Sequence, residues 1–255
     1  MKVLVSPAKK MREDGDFLPP KTVPVLLERA RVLADWLRGL DRPALKKVLA
    51  CNDAIVELNY RRYQELDFRR ADTPALLAYD GIQYKYMAPQ LFTTEQFAWA
   101  EGHLRILSGL YGVLRPFDGV VPYRLEMGAR FHTPFCTSLY DFWGDSLYRA
   151  LAAEGEDTLV DLSSCEYSWA VRHRAEPCMR VIDVSFRELE GGRPVEKGVY
   201  VKMARGEMVR FLAERGAEEP EAMRDFDRLG YAFSPEWSEE DLYVFLRESR
   251  PGRRP

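Results

Sequence analysis

Histidine is scarce in this chain, cysteine is scattered, and no long apolar run exists. The 255 residues hold three histidines (His103, His132, His173) and four cysteines (Cys51, Cys136, Cys165, Cys178), all far apart and with no CxxC pair. The cysteines therefore read as reduced thiols of a cytoplasmic protein rather than a disulfide framework. A zinc site would need these distant residues to meet through folding alone, and with no ligand spacing to support one, no metal is assigned. No stretch reaches the ~18 apolar residues of a membrane span, and the apolar part of MKVLVSPAKK is too short for a signal peptide. Internal repeats, linkers and low-complexity blocks are also missing. The formal net charge is only −3, so the total gives no sign of a nucleic-acid binder, although a local basic patch remains open. Nucleophile elbow, P-loop and metalloprotease motifs are all absent.

What the chain does have is one unusually dense stretch, Leu104 to Gly128, LRILSGLYGVLRPFDGVVPYRLEMG. It carries Gly109, Gly112, Gly119 and Gly128, Pro116 and Pro122, and Arg105, Arg115 and Arg124. A helical run over Thr94 to Leu107 leads into it, with Thr94 as cap. Gly109 and Gly112 permit positive φ or close backbone approach, so a sharp turn is expected there. Pro116 blocks a long helix, and a loop bearing Asp118, Tyr123, Arg124 and Glu126 follows. Turn N–H groups of this kind can meet a phosphate. Alternatively, the glycines only make the turn and the arginines pair with Asp118 and Glu126.

Elsewhere the pattern alternates between helices and strands. Lys2–Val5 reads as a buried strand, and Ser6 and Lys9 directly after it are placed to hold an anion; a solvated surface loop is the other reading. Helices are expected over Val23–Leu40, Pro43–Cys51 and from Asn52 or Asp53 onward, the last with Ile55, Leu58, Tyr63 and Leu66 on its apolar face. Arg61, Arg62, Arg69 and Arg70 make either a basic patch or a solvated helix face. Pro74–Tyr79 (PALLAY) reads as a strand that Gln83–Met87 continues. Leu139–Ala153 reads as a helix and Asp157–Leu162 as a strand, with Ser163–Tyr167 at a second strand end. Met179–Leu189 and Val195–Val201 read as a hairpin that ends at Lys202–Gly206. Helices are then expected over Glu207–Arg215 and Glu219–Arg228, and a last strand over Asp241–Arg247. The whole reads as a single α+β or mixed α/β domain over residues 1–248, with a disordered tail at 249–255.

Four polar clusters thus fall at element ends: Ser6–Lys9, Arg115–Glu126, Ser163–Tyr167 and Lys202–Arg205. If they converge, they form a cationic cleft with one or two acids, suited to phosphate, carboxylate or nucleic acid. Glu126 and Glu166 are the candidate acid or base there, and Lys9 and Lys202 the candidates to neutralise developing charge.

Six motifs carry a resemblance to a known family: LVSPAK (Leu4–Lys9), LSGLYGVLRPFD (Leu107–Asp118), PYRLEMG (Pro122–Gly128), LYDFWGD (Leu139–Asp145), DLSSCEY (Asp161–Tyr167) and KMARGEMVRF (Lys202–Phe211). The chain resembles the YaaA family of bacterial peroxide-stress proteins from its first strand to its last. That resemblance implies a mixed α/β domain containing a helix–hairpin–helix element, with the GLYG turn as the hairpin. It also implies a cytoplasmic place, binding of duplex or branched DNA with little sequence preference, and a part in limiting iron-driven damage. No cofactor and no membrane partner is implied, and oligomeric state is left open.

Two functional readings follow. In the first, a DNA-binding stress protein grips phosphate through Ser6, Lys9, Arg62, Gly109, Gly112, Arg115, Tyr123, Arg124, Lys202 and Arg205. In the second, an enzyme acts on a nucleotide, nucleobase or other small anionic metabolite in one pocket lined by Lys9, Arg115, Tyr123, Glu126, Glu166 and Lys202. A third, purely structural possibility is that Arg115, Arg124 and Glu126 form an ion-pair network that pins loops.

Overall fold

A strand buried on both faces can carry apolar residues without alternation, and KVLV does so. In the computed structural model, which describes residues 1–12, 18–130, 132–172 and 179–248, β1 (Lys2–Val5) is wholly buried at the middle of the main sheet. The expected tail at 249–255, together with His173 and Cys178, lies outside the described residues. In chain order the remaining strands are β2 (Lys10–Met11), β3 (Thr73–Pro74), β4 (Tyr79–Asp80), β5 (Leu104–Ser108), β6 (Gly112–Leu114), β7 (Gly119–Val120), β8 (Thr158–Leu162), β9 (Arg180–Glu190), β10 (Arg193–Val195), β11 (Ala232–Phe233) and β12 (Leu242–Glu248). The main sheet runs β11-β12-β9-β8-β1-β5-β6, with β10 attached to β9. Its centre is parallel: Val3 faces Leu104 on one side and Val160 on the other, and β8 and β12 both run parallel to β9. The molecule is a single compact domain of mixed α/β type, as expected, around one continuous apolar core.

The helices are α1 (Leu27–Arg38), α2 (Arg42–Leu49), α3 (Asp53–Glu65), α4 (Ala75–Ala78), α5 (Ile82–Met87), α6 (Thr94–His103), α7 (Leu139–Trp143), α8 (Ser146–Ala152), α9 (Cys165–Arg172) and α10 (Gly198–Arg215). Side chains start several of them. Asp41 Oδ1 accepts from Ala44 N at 2.9 Å, and Asn52 Oδ1 accepts from Ile55 N at 3.0 Å. Thr93, not Thr94, closes a capping box with Gln96. No described helix is long and apolar enough to cross a membrane.

Several expected elements differ. The run read as helical to Leu107 stops at His103, and Leu104–Ser108 becomes β5, drawn into register beside β1. The GLYG turn therefore joins two strands: Ile106 pairs with Leu114 and Ser108 with Gly112, antiparallel, so the turn is a β-hairpin rather than a link between helices. PALLAY is a buried helical turn between two short bridges, because an unbroken apolar run has no period to tell helix from strand. On α3 the buried residues are Val56, Asn59 and Tyr63, while Leu58 is exposed. The expected 139–153 helix breaks at Gly144, whose φ is +55°. The hairpin partner of β9 ends at Val195, and Lys202–Gly206 lies inside α10. The expected Glu219–Arg228 helix is instead two 3₁₀ turns, Pro220–Asp225 and Arg228–Gly230.

Two glycines set the spacing of the site. A Cβ on Gly206 of α10 would lie 2.1 Å from the Gln83 carbonyl oxygen and 2.9 Å from Met87 N, so α10 and α5 pack backbone to backbone there. A Cβ on Gly109 would lie 2.3 Å from the Leu125 carbonyl oxygen, so the hairpin turn seats the 122–126 segment. Gly112 supplies the positive φ, +78°, that the turn needs. Gly206→Ala is expected to lower unfolding free energy by about 1–3 kcal/mol, because backbone atoms must move apart. Gly102→Ala, in α6 with open space at its Cβ, is expected to raise it by up to about 1 kcal/mol. Paired chemical-denaturation curves check both.

Candidate functional site

The chain leaves β1 toward β5 on one side and leaves β8 toward β9 on the other. Their carboxyl ends thus diverge, and a crevice opens between them, the place where open α/β sheets take ligands. Ser6 follows β1 and Ser164 follows β8. Ser164 N donates to Ser6 Oγ at 2.9 Å, joining the two strand ends. Asp161 Oδ1 accepts from Ser163 N at 2.8 Å and from its hydroxyl at 2.6 Å, which holds the second strand end in shape.

A cavity of about 600 Å³ lies over this junction, within the usual size range for small-molecule sites. Its walls are Ser6–Lys10, Asp80–Lys85, Tyr123–Glu126, Ser164, Glu166, Tyr167, Lys202 and Arg205. Three of the four polar clusters therefore meet as expected, and the fourth, Arg115–Glu126, contributes only its second half. Ser6, Lys9, Tyr123, Arg124, Glu126, Glu166, Lys202 and Arg205 all line the cavity. Gln83, Tyr84 and Lys85 on α5 were not anticipated. They sit in a run that reads as a continuing strand, and nothing in QYK marks a ligand-facing helix.

The aromatic floor is buried. Tyr84 donates to Ser6 O at 3.1 Å. The Tyr123 hydroxyl lies 2.5 Å from Ser108 Oγ and 3.0 Å from the Tyr79 hydroxyl. Burial raises Tyr123, Tyr84 and Tyr167 above the ordinary phenol value, so all three are protonated hydroxyls at neutral pH.

The charged groups divide sharply. Glu126 is clamped by Lys9 at 2.6 Å and Arg124 at 3.0 Å, so this acid is paired on both sides. Tyr63 donates to the Arg124 carbonyl at 2.7 Å and fixes that segment from α3. Glu166 Oε1 accepts from Gly128 N at 2.7 Å. Lys202 and Arg205 lie one turn apart on α10, and neither forms an ion pair among the described residues. Burial lowers the Arg205 guanidinium below its ordinary value, against the more distant charges of Asp161 and Glu196. Its Nε is sealed from solvent and has no acceptor; the same holds for Arg124 Nε and Gln83 Nε2, all in cavity-lining residues. A buried donor without a partner is costly, and three of the seven unpartnered buried side-chain atoms among the described residues belong to cavity-lining residues.

The other expected phosphate contacts lie elsewhere. Arg115 is spent on buried Asp118, with Nε–Oδ1 at 3.1 Å and Nη2–Oδ1 at 3.0 Å, and also donates to Val23 O. The pairing alternative thus describes Arg115, and it does not reach the cavity. Gly109 and Gly112 are buried packing positions. Arg62 is half-buried on α3 and is not among the cavity-lining residues. Arg69 is held by Asp67, and Arg105 is buried against Glu154. No group of three or more His, Cys, Asp or Glu residues able to hold a metal occurs among the described residues.

Compared with known proteins, the chain matches the model of the peroxide stress protein YaaA family over residues 1–237. It is 51% identical to a UPF0246 protein of Desulfitobacterium hafniense over 247 residues, covering 97% of this chain and 98% of the relative. A UPF0246 protein of Agathobacter rectalis is 44% identical over 248 residues, covering 97% and 99%. One from Lactiplantibacillus plantarum is 42% identical over 246 residues, covering 96% and 99%.

The pairing of Arg105 yields a pH prediction. Burial alone would push the Glu154 carboxyl up, but the Arg105 guanidinium and the Lys2 ammonium outweigh it and hold it below the ordinary value. A carboxylate lowered on folding stabilises fully at neutral pH and loses that contribution as pH falls through the folded value. Glu154→Gln is expected to cost about 2 kcal/mol near pH 7. The difference from the parent should shrink as pH falls through the lowered folded value and vanish below it, as read by urea unfolding at a series of pH values.

Proposed function

The chain belongs to the peroxide stress protein YaaA family, and on that premise we propose that it is a cytoplasmic peroxide-stress protein whose working site is the cavity at the β1/β8 divergence, where it binds a small anionic ligand of nucleotide size. The observation that carries this reading is the pair of cations, Lys202 and Arg205, that have no ion pair among the described residues and stand beside buried unpartnered donors in a mixed-charge cavity. Glu126 and Glu166 suit such a ligand better than they suit a duplex backbone, because a backbone grip gains nothing from carboxylates beside its cations. The tyrosine floor offers an apolar face to a ring, and its protonated hydroxyls offer donors. If chemistry occurs, Glu166 is the carboxylate available for proton transfer, since Glu126 is neutralised by Lys9 and Arg124.

A second reading places DNA on the same face. Lys9, Lys10, Lys85 and Lys202 are all exposed around the cavity mouth, and four ammonium groups on one rim are a usable phosphate track. In that reading the protection against iron-driven damage is exercised on the duplex itself. Arg115, Gly109 and Gly112 have no part in it.

Calorimetric titration of the full chain with adenosine 5′-monophosphate, with succinate and with a short blunt duplex separates the two. The small-ligand reading expects binding of at least one small anion, weakened by Arg205→Gln and only mildly affected by salt. The DNA reading expects duplex binding that falls by orders of magnitude between about 50 and 200 mM salt and is lost when Lys10, Lys85 and Lys202 are all changed to Ala. Absence of binding by all three probes would contradict both.

A further inference from the structure

We infer that the Lys202–Arg205 turn of α10, together with the Ser6–Ser164 junction, is a phosphomonoester subsite, so that the ligand enters the cavity with a terminal phosphate against α10. This rests on the small-ligand reading of the cavity and names the chemistry that the anionic end of the ligand must have.

The argument begins with charge. Six basic residues line the cavity (Lys9, Lys10, Lys85, Arg124, Lys202, Arg205) against three acids (Asp80, Glu126, Glu166). Glu126 takes up Lys9 and Arg124, and Asp80 lies 3.5 Å from Arg12 outside the cavity. The positive surplus is therefore not spread evenly. It falls on Arg205 in the wall, on Lys202 one turn before it on the same face of α10, and on Lys10 and Lys85, the three lysines standing at the exposed rim. A carboxylate carries one charge and two coplanar oxygens, and a single guanidinium fork satisfies it. Two adjacent cations of different geometry, one planar fork and one point charge, match a group with about −2 charge and three acceptor oxygens.

At the strand-end junction the Ser6 hydroxyl donates to Ser164 Oγ at 3.3 Å and Ser164 N donates to Ser6 Oγ, which leaves the Ser164 hydroxyl as the donor for a ligand. Ser6 and Ser164 stand at the ends of two diverging parallel strands, and Ser164 opens α9, whose first turn faces the cavity through Glu166 and Tyr167. The amino end of that helix adds partial positive charge at the same spot. An independent observation makes this more than a helix terminus. Gln83 is only 8% exposed, lines the cavity and has an Nε2 with no acceptor, and Arg205 Nε is likewise sealed and unpaired. Gly206, next to Arg205, packs against the Gln83 carbonyl, so α10 and α5 meet backbone to backbone beside the two unpaired donors.

One class of chemistry thus has two sources: a free nucleoside monophosphate, or the 5′-phosphorylated end of a nucleic-acid strand. The test is calorimetry on the full chain with adenosine 5′-monophosphate, adenosine and succinate, followed by competition with short 5′-phosphorylated and 5′-hydroxyl oligodeoxynucleotides. The monophosphate is expected to bind at least about tenfold tighter than either adenosine or succinate, the size of one charge-assisted contact. Arg205→Gln and Lys202→Ala should each remove about that factor for the monophosphate and leave adenosine unchanged. Lys202 is exposed, so its variant keeps the test valid if Arg205→Gln fails to fold. Displacement by the 5′-phosphorylated strand and not the 5′-hydroxyl strand assigns the strand end as source, whereas displacement by neither assigns the free nucleotide; both support the subsite. Adenosine or succinate binding as tightly as the monophosphate, or displacement by both strands alike, overturns the subsite and leaves the cavity reading standing. No binding by any small probe would bring down the two together.

Discussion

The hydrogen bond from Ser164 N to Ser6 Oγ, 2.9 Å across the ends of β1 and β8, marks the constraint on which the rest is built. Two neighbouring parallel strands whose continuations go opposite ways cannot close the space above them with their own chain. Everything else is a matter of which segments come to wall that space. α5 and α10 supply one wall, locked together at Gly206, where no side chain larger than hydrogen fits. The 122–126 segment supplies another, seated on the GLYG hairpin because Gly109 lets the Leu125 carbonyl come close. The GLYG turn therefore serves the site at one remove. It is a seat for Tyr123, Arg124 and Glu126 and is not itself among the cavity-lining residues.

Electrostatics then sort the basic residues into two kinds. Arg105, Arg115 and Arg124 are each matched to a carboxylate, Glu154, Asp118 and Glu126 respectively. Pairing of this sort reduces the penalty of taking charge out of water, and its return is geometric: Asp118 also accepts from Thr22 Oγ1 at 2.7 Å, tying the 22–24 segment to the loop after β6. Lys202 and Arg205, like Lys10 and Lys85 at the rim, have no ion pair among the described residues, and of the four only Arg205 is partly buried. A guanidinium that is half-buried, lowered by desolvation and without an ion pair among the described residues is a feature that stability alone does not favour. The physical reading is that its partner is brought by the ligand.

Much of this was legible in the residues. Polar groups directly after a buried apolar run mark a strand end, and that pattern puts Ser6, Lys9, Ser164 and Glu166 at the strand ends where the structure has them. Lys202 and Arg205 were found for a partly mistaken reason. They were read as the end of a hairpin strand, whereas Gly198–Arg215 is one helix, and only the spacing of three puts both on one face. For Arg115 the sequence offers both a phosphate contact and a pair with Asp118 three residues on, and the structure shows the pair. The switch from helix to strand at Leu104 was hidden as well: LRIL is apolar enough for either, and the choice was made by β1, far away in sequence. Gln83 carried no signal, since its role depends on α5 lying against α10. The family motifs run over nearly the whole chain; the resemblance makes the GLYG turn the hairpin, and in the structure that turn lies outside the residues that line the crevice.

The central claim is that Arg205 waits for an anion. The most direct measurement is the side-chain Nε–Hε resonance of Arg205 in a ¹⁵N–¹H spectrum, followed as adenosine 5′-monophosphate is added to the full chain. The account predicts a saturable shift and slower exchange of that one guanidinium proton with solvent, while the Arg115 resonance, already bound to Asp118, stays where it was. An unmoved Arg205 signal at saturating ligand, or a shift at Arg115 in its place, would contradict the account.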